Sequence, residues 1–533
     1  MRTLSARIKS YIQPFERVLA LRELQALSID IPRPLGDLGG NATEFEVASK
    51  TSAKVLANRL AYWESVEDSE SSIITTQSLR ESTTNLVRNG VAIDTLRRQL
   101  PFTNEVPLPN RRCLRYGTHG VHEYRGKFFP QLVRSLINIS GAPIGSIVAD
   151  PMSGSGTTVV EAILANYKGR GIDMNPMSVF MGNSKANLLS ANAENIASSY
   201  EVIRKELMAV ESRKSKGLQY FDSLPRKDKD YLQTWFSPEV LSGLDDISLA
   251  IQQVNDVHAR DLMRVSLSNI IRSVSWQKND DLRVRKDVRL DVDIDPKREF
   301  LEELGRSVRA VLAFLFQNGP VIHPNFHIIE GDARLSAQSW GHNSVDVVIT
   351  SPPYATALPY LDTDRLSLCY LGLLPRPEHR GRDQLMIGNR EVSEGLRRNY
   401  FAQFESSGET LPISVRELIR RIESLNANKN VGFRRRNLPA LLAKYFFDMT
   451  EVMQGIFHVL KPGSYAFIVV GNNHTIAGGH RVDIETAKLL QDVADLIGFD
   501  IAESLPMDML VSRDIFKKNA MSSEEILVFR KPI

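Results

Sequence analysis

Apolar and polar positions change rhythm several times along the chain. Over residues 1–115 the spacing is mostly helical. RIKSYIQPFERVLALRELQAL repeats its apolar residues every three to four positions, as one face of an amphipathic helix does. Polar runs such as SVEDSESS read as loops between such segments. The rhythm then shortens. SIVAD (146–150) is a β-branched run that predicts a buried strand, and PMSGSG breaks it as a turn. TTVVEAILANY is helical, KGRGIDM returns to a strand, and NPMSVFMGNSKANLL is helical again. Strand–turn–helix–strand–helix is the opening of a parallel α/β sheet.

From 191 to 325 the helical period dominates, in SSYEVIRKELMAV, SPEVLSGLDDISLAIQQV, ARDLMRVSLSNIIRSV and REFLEELGRSVRAVLAFLF, joined by charged loops. Strand patterning resumes in NFHIIEGDAR and SVDVVITSPPY. It breaks again for an arginine-rich tract and returns in GSYAFIVVG, DIAESLP and EILVFRK, with helical ETAKLLQDVADLIG among them. One sheet assembled from separated stretches accounts for this, with a large insertion between its second and third strands. The expected units are 1–115, a helical accessory region; 116–190, the first part of the core; 191–325, the helical insertion; 326–373, the next core part; 374–440, the arginine-rich insertion; and 441–533, the last core part. No internal repeat is seen.

Composition narrows this picture only slightly. A chain of 533 residues is too long for one simple core. The net charge of +3 is too small to point to nucleic acid by itself. Cys113 and Cys369 are the two cysteines, which excludes a disulfide scaffold, fits a reducing cytoplasm and leaves no metal cluster. His119 and His122 lack a third ligand and are expected to position the segment around them. No apolar run reaches the roughly 18 residues of a membrane span. The basic start MRTLSARIKSYIQ has no secretory apolar core.

Chemistry concentrates in two places. ADPMSGSGTT is not a P-loop, since no lysine follows the second glycine, and Val159 stands where a dinucleotide fingerprint needs its third glycine. An S-adenosylmethionine pocket fits better. There the chain must bend and pass close to a ligand, which Gly154 and Gly156 permit. Asp150 ends the first strand and suits the methionine end. Asp173, in GIDMNP, ends the next and suits two ribose hydroxyls. Asp332, in EGDAR, ends the third and suits the adenine amine. Pro151, Ser153, Ser155, Thr157, Met174 and Ala333 flank these positions as further cofactor contacts. Each aspartate alone could equally cap the helix that follows it.

With THGVHEYRGKFFPQL (118–132), DPMSGSGTTVVEA and TSPPY together, the chain resembles the S-adenosylmethionine-dependent DNA amino-methyltransferases, which methylate the exocyclic nitrogen of cytosine or adenine. The resemblance covers about 118–189 and 325–370, and 440–533 more loosely. It implies an α/β, Rossmann-like methyltransferase fold, a mostly parallel sheet with helices on both faces. It also implies S-adenosylmethionine as cofactor, Lys127 and Phe128 packing against it, and double-stranded DNA as partner, beside a separate restriction endonuclease. Many relatives carry the catalytic motif before the cofactor loop; here it follows.

An exocyclic amine is a poor nucleophile because its lone pair is delocalised into the ring. Ser351 Oγ and the Pro352 carbonyl are the candidate acceptors that would hold its hydrogens out of plane. Pro352 and Pro353 stiffen the turn and remove competing N–H donors. Tyr354 is the candidate stacking ring for a base flipped from the duplex. Serine in the first position goes mainly with cytosine N4 in the family, so that base is favoured. Adenine N6, an RNA amine, and a non-catalytic binding module are the alternatives. Arg434, Arg435 and Arg436 in FRRR are the candidate phosphate contacts. Asn472, in GNNHTIAGGHR, is the candidate contact at the base pocket.

Overall fold

The computed structural model describes every residue except 1, 37–41, 89, 104, 125, 127–128, 210–216, 279–284, 289–293, 356–359, 390–391, 428–430 and 509–522. Lys127 and Phe128 therefore lie outside the described residues.

The N-terminal region corrects the helical expectation. Its helices, among them Pro14–Leu27 and Thr76–Arg88, accompany a five-stranded antiparallel sheet of order β2-β3-β1-β4-β5. The strands are β1 (Arg2–Ile8), β2 (Arg33–Pro34), β3 (Glu44–Ser49), β4 (Trp63–Glu67) and β5 (Ser72–Ile74). The alternation in RTLSARI explains β1: Leu4, Ala6 and Ile8 are buried on one face. The helix starts only at Pro14, in its first turn, where a missing N–H costs nothing.

The core sheet is seven-stranded, in the order β13-β14-β10-β9-β6-β7-β8. Its members are β6 (Ile147–Asp150), β7 (Lys168–Asp173), β8 (Phe326–Glu330), β9 (Val345–Thr350), β10 (Leu460–Gly471), β13 (Asp500–Asp508) and β14 (Ser523–Arg530). A separate hairpin, β11 (Asn473–Ala477) and β12 (His480–Ile484), follows β10. Every neighbouring pair is parallel except those made by β14, which alone runs backwards. Insertion helices such as Pro238–Gln252 and Pro296–Asn318 fall between β7 and β8, where the sequence places them.

Helices cover both faces. Val347 and Ile349 of β9 share one core with Leu132 and Leu136 of the helix Pro130–Ile139. Val345 and Val348 share another with Phe446 and Met449 of the helix Phe433–Val459. A strand buried on both faces explains why VDVVIT is a nearly continuous apolar run. No helix among the described residues is long and apolar enough to cross a membrane. The carboxyl ends of the parallel strands meet along one edge, and Asp150, Asp173 and Ser351 gather there.

Candidate active site

The glycine turn is held from two sides. Asp150 is fully buried; its Oδ2 accepts from Thr158 Oγ1 at 2.8 Å and its Oδ1 from the Met152 N–H at 3.1 Å. Thr158 Oγ1 also reaches the Ile349 carbonyl at 3.3 Å, so one hydroxyl ties the turn to β9. Asp173 Oδ2 accepts from the Gly154 N–H at 2.8 Å, and its Oδ1 from the Asn175 N–H at 2.8 Å. Gly154 has φ of 48°, and a Cβ there would stand 3.0 Å from the Tyr124 ring. Both disfavour a side chain there.

This turn fits the methionine and ribose ends of S-adenosylmethionine. Ser153 Oγ and Ser155 Oγ are buried and find no hydrogen-bond partner among the described residues. An unsatisfied buried hydroxyl costs about 1–3 kcal/mol, which a polar ligand recovers. Burial raises both carboxyls, Asp150 to about 6 and Asp173 to about 6. The hydroxyls of Thr350 and Thr158 and the Met152 N–H pull Asp150 partly back. The Asn175 and Gly154 N–H groups do the same for Asp173. Acidic acceptors in a dry pocket suit the ammonium and hydroxyl donors of that cofactor.

The catalytic motif begins where β9 ends. Ala149 of β6 lies opposite Val348 of β9, so Asp150 and Ser351 sit at the same edge on adjacent strands. Ser351 is half-buried, Pro352 buried, and Pro353 and Tyr354 half-buried. The Tyr354 hydroxyl donates to Glu524 Oε1 on β14, a partner that no local pattern announces. Burial holds the Glu524 carboxyl above its usual range, and the Tyr354 hydrogen bond draws it back.

Other sequence candidates are differently engaged. Asp332 does not end β8 but stands two residues beyond it, where its Oδ1 caps the short helix Ala333–Leu335 through the Arg334 N–H at 3.0 Å; both its oxygens also accept from the Arg334 guanidinium, whose Nη1 meets Asp448 at 2.7 Å. The carboxylate reserved for adenine is thus a guanidinium clamp first. Ala333 is buried beside it. Arg382, from the arginine tract, donates to the Met174 carbonyl at 2.8 Å and pairs with Glu330, closing over the ends of β7 and β8. Asn472 spans structure rather than facing solvent: Nδ2 donates to Glu525 at 2.7 Å, and Oδ1 accepts from the Ala487 N–H at 3.0 Å. His119 does position its segment, with Nε2 2.8 Å from the buried Glu161. Arg434, Arg435 and Arg436 are exposed on the first turns of the helix Phe433–Val459.

Known proteins are similar to much of this chain. A family described as RMKL-like, methyltransferase domain matches residues 121–214, which span the glycine turn. The type II methyltransferase M.MvaI of Kocuria varians is 24% identical over 413 residues, covering 75% of this chain and 81% of that protein. The type II methyltransferase M.BsoBI of Geobacillus stearothermophilus is 23% identical over 442 residues, covering 74% and 83%. These similarities support an S-adenosylmethionine-dependent DNA methyltransferase. Among solved structures, TrmN from Thermus thermophilus overlaps it with a TM-score of 0.31 at 10% identity, covering 100% of each chain. The fold of the methyltransferase stands on its own sheet order.

If Asp150 and Asp173 hold the cofactor, its affinity is expected to depend on pH. Both folded values, about 6, lie above the unfolded carboxylate value of about 3.9. The native state therefore holds extra protons between about pH 4 and 6, and its stability falls as pH rises through that window. Cofactor binding has the opposite slope, because its ammonium and hydroxyls need ionised acceptors. Below pH ~6 the affinity for S-adenosylmethionine is expected to fall about tenfold per pH unit for each carboxylate that must ionise. Calorimetric titration from pH 5 to 8 checks this. A flat profile would mean that neither aspartate meets the cofactor.

Proposed function

We propose that the methyltransferase modifies the exocyclic amine of a base flipped out of duplex DNA, with cytosine N4 as the target. The observation that carries this is the junction itself. Ser351–Tyr354 leave β9 at the same edge as the Asp150 turn, linked through Thr158 to both. Asp150, Ser153, Ser155 and Asp173 would hold the cofactor. When bound, S-adenosylmethionine would supply a sulfonium methyl group, its sulfur leaving as the neutral thioether, and the methylated amine would then give up one proton to solvent.

The chain's own groups prepare the nucleophile. Ser351 Oγ and the Pro352 carbonyl accept the two amine hydrogens, which draws the nitrogen toward sp³ and localises its lone pair. The prolines fix both acceptors in advance, so little reorganisation accompanies attack. Tyr354 stacks on the extruded base and replaces part of the stacking it lost. Glu524 holds the phenol end of that ring, which sets its plane. Most of the acceleration then comes from alignment.

M.MvaI and M.BsoBI carry the type II designation, and we extend it to this chain as the modification half of a system whose nuclease is a separate protein. Its place is then the cytoplasm, at the nucleoid. The test offers tritiated S-adenosylmethionine with duplex DNA and with structured RNA, followed by nucleoside analysis. The expected product is N4-methylcytosine from the duplex. Label in N6-methyladenine would overturn the choice of base. Label in RNA alone would overturn the choice of polymer.

A further inference from the structure

Phosphate contacts hold a protein on DNA; base edges must be read by something else. The hairpin β11–β12 has the placement and the chemistry for that. It leaves β10 directly after Asn472, at the carboxyl edge, one strand away from Ser351. Its turn is Gly478-Gly479, both at positive φ (56° and 92°), the geometry of a tight two-residue hairpin. One face is rigidly backed: Ala477, Val482 and Ile484 are buried in a cluster with Ile419 and Ile422 of the helix Ile413–Ala427.

The other face is open. In the antiparallel register His474 stands opposite Asp483 and Ile476 opposite Arg481. All four are exposed, and Ile476 shows 37% of its surface. Arg481 Nε lies 2.8 Å from Asp483 Oδ1, so the guanidinium is pre-oriented while both side chains remain more than half exposed. A cation with two prongs, a carboxylate, an imidazole and an apolar tip form a set able to meet guanine, cytosine and the thymine methyl. A two-stranded ribbon also fits the roughly 12 Å major groove.

A latch joins this ribbon to the basic cluster. Asn426 Nδ2 donates to the Arg435 carbonyl at 3.0 Å, and its Oδ1 accepts from the Gly478 N–H at 3.0 Å. Arg434, Arg435 and Arg436 form no ion pair among the described residues, so their charge is available beside the ribbon. We infer that the hairpin β11–β12 enters the major groove of duplex DNA and reads its sequence through His474, Ile476 and Arg481, while the adjacent arginines hold the backbone. This rests on the DNA-methylating activity proposed above.

The experiment expresses wild type, Ile476→Ala, Arg481→Ala and Arg481→Lys in a methylation-free host and maps modified bases by long-read sequencing. Purified proteins are then compared for kcat/KM on cognate and scrambled duplexes. The expected result is a relaxed or shifted motif and a loss of about 10- to 100-fold in kcat/KM at the cognate site. Binding to scrambled duplex and the salt slope stay unchanged. Arg481→Lys loses as much as Arg481→Ala, because charge without the fork does not read a base. Melting midpoints and cofactor binding equal to wild type establish that the variants fold; should Arg481→Ala not fold, Ile476→Ala and Arg481→Lys carry the test. An unchanged motif with unchanged kcat/KM would overturn the inference while leaving the activity standing. A uniform loss across all sequences, with a shallower salt slope, would make the hairpin a phosphate contact and overturn it too. Wild-type protein that modifies no DNA would remove the activity itself, and the inference with it.

Discussion

Replacing Ser351 by alanine lowers single-turnover methyl transfer by about 10²–10³-fold, the usual effect of removing one preorganised group that stabilises a transition state. Affinity for S-adenosylmethionine stays within about twofold, because the cofactor turn is held by Asp150, Thr158 and Asp173 and not by Ser351. The loss is expected on kcat, because in the proposed mechanism Ser351 Oγ accepts most strongly as the amine pyramidalises, whereas the Pro352 carbonyl survives the substitution. Ser351→Thr keeps an oxygen but adds a methyl to a half-buried site, and it recovers part of the rate. Single-turnover kinetics with saturating cofactor, read beside calorimetric cofactor binding, checks this. A variant that retains a third of the wild-type rate would remove Ser351 from the chemistry. Parallel loss of cofactor binding would make its role structural.

Replacing Arg434, Arg435 and Arg436 together by alanine weakens duplex binding by at least about tenfold at moderate salt. It also flattens the plot of log affinity against log salt by about 2.7, the release of three counterions. These three are exposed, form no ion pair among the described residues and stand on consecutive positions, a density of charge that the equally exposed Arg380, Arg398 and Arg421 do not reach. Arg420 is already paired with Glu405 and Glu423, and Arg397 with Glu394. Arg376 lies over the Tyr231 ring at 4.3 Å, and Arg382 is engaged by Glu330 and the Met174 carbonyl. Arg420→Ala is therefore the control, with an unchanged slope. Fluorescence anisotropy of a labelled duplex across a salt series decides it. A triple variant with the wild-type slope would place the phosphates elsewhere.

The core sheet is legible in the sequence because its signals are local. A β-branched run, a glycine turn and an apolar helix follow one another within 146–165, and VDVVIT is apolar enough to demand burial on both faces. The N-terminal sheet is less legible because its strands are short. Arg7 and Ile8 of RTLSARI also fit the helical spacing of the segment after them, so the longer period masks the shorter. The site shows the same division. Asp150, Asp173 and Ser351 stand at strand ends, a position that motif spacing alone predicts. The motif points to Thr157 and misses Thr158, since only the fold turns the second threonine toward Asp150 and β9. Tyr354 to Glu524 and Arg334 to Asp448 join residues far apart in sequence, and no pattern in one stretch reports the other. Asn472 reads as a loop polar group in the sequence, whereas Glu525 and Ala487 claim its amide in the fold.

The placement of the helical insertion has a cost in time. β6 cannot complete its pairing until β9 exists, and the Ile147 N–H waits for Asp346, 199 residues downstream. At about 5–20 residues per second, a ribosome needs roughly 10–40 s to supply that partner. Throughout that interval the central strand, its fold-defining turn already synthesised, carries one open edge toward neighbouring nascent chains, a geometry that invites strand-to-strand association. The insertion helices are made during the same interval. They can shield the β7 side of the sheet, but the edge meant for β9 stays open until translation passes it.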